Sequence, residues 1–103
     1  MSVRMPSNFG RGGAQESALD LLGHEVLAEK AAALGRTGQR VEETLKKLRE
    51  NSDSEQRTRL LKEAAAAVHA YFIQRELCGL RRHESVIREY DIPRAVLVRL
   101  GAS

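Results

Sequence analysis

At 103 residues, 42% of them apolar and 30% charged, the chain is long enough for one domain and too short for two. A lone cysteine, Cys78, excludes an internal disulfide, and no stretch approaches the roughly 20 consecutive apolar residues that cross a bilayer. The net charge of +3 is weak evidence for nucleic acid: with Arg4 and Arg11 set aside, 15 of the 17 basic residues face 14 acids from residue 14 onward.

Residues 1–13 hold Pro6, Gly10, Gly12 and Gly13 without periodicity, and such a stretch buries too little apolar surface to offset its conformational entropy. It reads as a disordered tail before a single helical domain at 14–103. No early apolar run with a cleavage signal is present, which points to a cytoplasmic protein.

From Gln15 to Glu50 nearly every residue is a good helix former. Leu27, Ala31, Leu34, Gly38, Val41, Leu45 and Leu48 alternate spacings of four and three, the pattern of a heptad seam. Gly35 and Gly38 each cost about 0.8–1 kcal/mol of helix propensity against Ala. No proline or cap lies nearby, so the helix is expected to continue through both.

In "ENSDSEQRT", Ser52 followed by Glu55 makes a capping box, and a second helix is expected from near Asp53 to about Cys78, stopped by Gly79. A short connection makes antiparallel neighbours. Folding the pair at residues 52 and 53 sets Gly38 against Ala67 and Gly35 against Ala70. At 1.5 Å per residue the first helix is about 54 Å long and the second about 36 Å, so residues 15–26 overhang.

The overhang predicts an apolar interface of Leu19, Leu22, Val26, Leu27 and Leu34. Left in water, such a patch is unusual for a monomer, so a homodimer is expected. Arg75, Glu76, Arg81, Arg82 and Glu84 cluster where the second helix ends, a candidate polar site for an unidentified protein partner.

The stretch "HESVIREYDIPRAVLVRLG" predicts two short helices about a corner at Asp91-Ile92-Pro93. Asp91 is placed as cap of the last helix, Pro93 in its first turn and Gly101 at its end. Val86, Tyr90, Ile92, Leu97 and Leu100 fall at the apolar offsets of a helix-turn-helix. Ile87 and Asp91, however, stand where that motif takes a small residue and a glycine. Only Arg94 and Arg99 could touch DNA, whereas a reading helix needs several exposed polar side chains. The stretch therefore reads mainly as a tail folded onto the core.

No catalytic, cofactor or metal-binding pattern is found. Cys78 and His83 make only two ligands, His24 lacks a second histidine four residues on, and no glycine-rich phosphate loop occurs. The expected function is thus that of a homo-oligomeric interaction module rather than an enzyme. A small DNA-binding regulator using residues 83–100 is the alternative.

The segment "EKAAALGRTGQRVEETLKKL" together with "FIQRELCGLRRH" and "YDIPRAVLVRLG" resembles a family of small helical alphaproteobacterial proteins of unknown function. The resemblance spans about residues 17–101. It implies a cytoplasmic, single-domain helical protein, and the residue patterns above add the expected all-α architecture: a long antiparallel helical hairpin with two short C-terminal helices, completing a bundle in a dimer. It supplies no site residues.

Overall fold

A computed structural model describes residues 9–100. Four helices follow one another: α1 (Phe9–Glu50), α2 (Ser54–Leu77), α3 (Glu84–Glu89) and α4 (Arg94–Leu97), with no strand among the described residues. The molecule is an elongated rod of 73 × 23 × 19 Å. Helix α1 alone, at 42 residues, accounts for about 63 Å of that length. It starts at Phe9, inside the stretch set aside as a tail, of which residues 1–8 lie outside the described residues. It passes unbroken through Gly35 and Gly38.

The core is a seam between α1 and α2. Val41, Leu45 and Leu48 from α1 are buried against Leu60, Leu61, Ala64, Val68, Tyr71 and Phe72 from α2, a set dominated by aliphatic side chains at three- and four-residue spacing. Thr44 is buried among them. Its hydroxyl donates back to the carbonyls of Arg40 at 2.9 Å and Val41 at 3.1 Å, which removes the cost of an unpaired polar group.

The two helices run antiparallel. Residues 51–53 link them at one end, and at the other Lys30 Nζ donates to the carbonyl of Leu77 at 3.4 Å. Asp53, not Ser52, caps α2: its carboxylate accepts from the amide of Glu55 at 3.0 Å, while its own amide donates to Asn51 Oδ1 at 2.8 Å. With Asn51 taking up the Asp53 amide, the predicted Ser52–Glu55 box does not form and the N-cap falls one residue later.

The expected glycine–alanine crossing also takes a different form. Gly35 has open space around it. Gly38 is buried, and a Cβ there would stand 3.2 Å from Tyr90 Oη and 3.3 Å from Tyr71 Cε1. The missing side chain therefore makes room for two tyrosine rings, packed edge-to-face with centroids 5.7 Å apart.

Helices α2 and α3 end in the same way. After α2, Gly79 takes φ 87°, and the amides of Leu80 and Gly79 donate to the carbonyls of Arg75 (2.9 Å) and Glu76 (3.0 Å). After α3, Asp91 takes φ 52°, and Ile92 and Asp91 donate to Ile87 (3.0 Å) and Arg88 (3.2 Å). Asp91 thus closes α3 instead of capping α4, whose N-cap position is held by Pro93. A short polar side chain tolerates the left-handed conformation better than most residues do. The turn delivers Ile92 and Val96 to the core beside Val86, with Leu97 and Leu100 packed against its edge. The expected stop at Gly101 lies outside the described residues.

Candidate functional site

Past Lys30, α2 offers nothing further for α1 to pack on. The seam that is buried at Leu48 (3% exposed) stands in water at Leu27 (65%). Leu21 (61%), Leu22 (58%) and Val26 (48%) are exposed with it. Of the predicted interface residues, Leu22, Val26 and Leu27 therefore lie on the uncovered end. Leu34 is half-buried against the chain's own core, and the side chain of Leu19 lies outside the described residues. Leu21 escapes the seam pattern because it sits on another face of α1. The charged residues here share one sign: residues 14–29 hold Glu16, Asp20, Glu25 and Glu29 and no lysine or arginine.

A second feature was not foreseen. Between α1 and α2 runs an open groove of about 280 Å³ lined by Arg36, Thr37, Arg40, Ala66, Ala67 and Ala70. Its floor is apolar. The Thr37 hydroxyl donates to the carbonyls of Ala33 (3.1 Å) and Leu34 (3.0 Å), and the three alanines bring only methyl groups. Two guanidinium groups stand at its rim, both on exposed residues. The available signal was the spacing of Ala66, Ala70, Ile73 and Leu77, a second apolar stripe on α2. Ile73 and Leu77 on it are 44% and 60% exposed.

The polar cluster at the end of α2 divides into a buried part and an exposed part. Arg75 is buried, and its guanidinium spans the corner: Nε donates to His83 Nδ1 at 3.1 Å and Nη2 to the carbonyl of Arg82 at 2.7 Å. His83 Nε2 meets Glu76 Oε2 at 3.1 Å, and the ring stacks on Phe72 at 4.1 Å and 3°. With Nδ1 accepting from Arg75, Nε2 carries the proton and donates to Glu76. Arg75 is thus a clamp inside the fold, whereas Glu76, Arg81, Arg82 and Glu84 are all exposed.

Those contacts also occupy both nitrogens of His83, so the imidazole is not turned to Cys78. The Cys78 thiol lies 4.0 Å from the carbonyl of Lys30. Among the described residues no group of three or more potential metal ligands gathers, and no helix is long and apolar enough to cross a membrane.

At the far corner, α4 makes about one turn. Arg94 is exposed, and Arg99 Nη1 donates back to the carbonyl of Ala95 at 3.0 Å. Val96 is fully buried. The two arginines flank one short turn whose apolar side faces the core.

Comparison with curated proteins and with solved structures finds no match. A family model described as "Family of unknown function (DUF6665)" matches residues 4–103. The chain, a helical rod with an uncovered apolar end, belongs to this family.

Proposed function

We propose that this protein is a homo-oligomeric helical interaction module, acting as a dimer in which the second copy covers the free end of α1. The observation that supports this most directly is the exposure of Leu21, Leu22, Val26 and Leu27 around one helix end, with Leu22 and Val26 adjacent on one face. Contiguous apolar surface of this kind costs free energy in proportion to its area in water, and a second copy removes it. The bacterial, cytoplasmic setting implied by the sequence resemblance belongs to the same proposal, and no catalytic role is assigned.

Sedimentation of the full chain from low to high micromolar concentration tests it. The expected species has twice the chain mass of 11.5 kDa. A single species at the chain mass across that range overturns the proposal.

A further inference from the structure

The proposed dimer leaves open how the two copies meet, and the residues of α1 point to one register. At about 100° per residue, Leu22, Val26, Glu29, Ala33, Arg36 and Arg40 fall within a strip about 80° wide. The strip runs along the overhang and continues onto the α1 wall of the groove, since Arg36 and Arg40 line that groove. Its two halves differ in charge. The N-terminal half carries Glu29, with Glu25 at its flank. The C-terminal half carries Arg36 and Arg40. Both pairs have the same four-residue spacing.

We infer that this strip is self-complementary, and that a second copy docks on it antiparallel about a two-fold axis between residues 32 and 33. In that register Glu29 meets Arg36 of the partner copy, and Glu25 meets its Arg40. Each pair occurs twice, as a two-fold interface requires. Leu22 and Val26 then come over the groove of the other copy, where Thr37, Ala66, Ala67 and Ala70 present an apolar floor. The overhang of each copy fills the groove of the other.

A parallel arrangement would set Glu29 against Glu29 and Arg36 against Arg36, and like charges across helices repel. Within one chain Glu29 and Arg36 already stand 3.9 Å apart, with side chains 80% and 67% exposed. A pair so open to water is held weakly and exchanges its partner at little cost. This register rests on the dimer reading above, and the following experiment separates the two.

Dimer dissociation constants are measured by sedimentation for the natural chain, for Glu25→Arg with Glu29→Arg, for Arg36→Glu with Arg40→Glu, and for the chain carrying all four changes. Each reversal pair is expected to weaken the dimer at least about tenfold, with helical content by circular dichroism unchanged because all four residues are exposed. The four-change chain should return to within about threefold of the natural affinity, and a mixture of the two reversed chains should yield a heterodimer. In a Cys78→Ser background, Ala33→Cys, beside the axis, should cross-link between copies, whereas Leu22→Cys should not. A natural dimer indifferent to the reversals, or a cross-link at residue 22 with none at 33, overturns the register and leaves the dimer standing. A natural chain that stays monomeric overturns both.

Discussion

Arg49, in the last turn of α1, donates from Nη2 to the carbonyl of Tyr90 at 2.7 Å and to that of Asp91 at 3.0 Å. The end of the first helix thereby caps the end of the third, whose final carbonyls carry partial negative charge and have no partner within their own helix. A contact across 41 residues of chain holds the C-terminal corner on the rod.

Replacing Arg49 by Met keeps much of the aliphatic stem and removes the donor. Since the site is exposed and water can replace the lost bond, the cost is about 1 kcal/mol. A lower urea midpoint with an unchanged slope, together with faster hydrogen exchange at the Ile92 amide, is the expected result.

The two seam-region glycines should respond to alanine with opposite signs. Gly35→Ala meets open space and gains helix propensity, about 0.8–1 kcal/mol of added stability. Gly38→Ala makes the same local gain but presses on Tyr90 Oη and Tyr71 Cε1 at 3.2 and 3.3 Å. Displacing two packed rings outweighs it, for a net loss of about 1 kcal/mol. Thermal unfolding of both variants side by side reads the difference.

Arg75→Lys tests the clamp at the end of α2. Lysine keeps the charge, but its single ammonium cannot serve both His83 Nδ1 and the Arg82 carbonyl in the geometry of the guanidinium fork. One of two part-buried acceptors loses its donor, at a cost of about 1 kcal/mol. Chemical denaturation measures it, and loss of the ordered His83 ring environment in proton NMR locates it.

Tyr90 supplies a pH dependence. Burial, followed by its hydrogen bond with Tyr71 and the nearby charges of Glu42 and Glu89, pushes its hydroxyl up from 10.0 to about 12. Folded Tyr90 keeps its proton where the unfolded chain loses it, so its contribution is fully present below pH 10 and is lost as pH rises toward 12. Screening at a half-exposed ring limits the effect to about 1 kcal/mol, below the full ~1.4 kcal/mol per unit. Tyr90→Phe should flatten the stability profile between pH 10 and 12, read as Tm against pH.

Helix periodicity and the end of α2 were legible because their causes are local. A seam is written in residues three and four apart, and the stop at Gly79 in the one residue type that takes φ 87° without strain. The all-α class, the unbroken run through Gly35 and the surplus length of α1 follow from such signals. Coverage follows a different rule. Leu27 and Leu48 occupy equivalent places on one seam, yet they are 65% and 3% exposed, because α2 ends at Leu77 beside Lys30. Gly35 and Gly38 look alike in the chain, but only one lies under two tyrosines. Arg75 and Arg81 look alike as well, and one is buried as a clamp while the other is exposed. The arrival of His83 at Arg75 and of Tyr90 at Gly38 depends on the left-handed turn at Gly79, which aims the last quarter of the chain back along the rod, and the arrival of Ile92 and Val96 in the core depends on the one at Asp91. A residue's own neighbours set its helix and its face, but burial depends on which distant segment crosses that face, and here backbone turns and long-range packing make that choice.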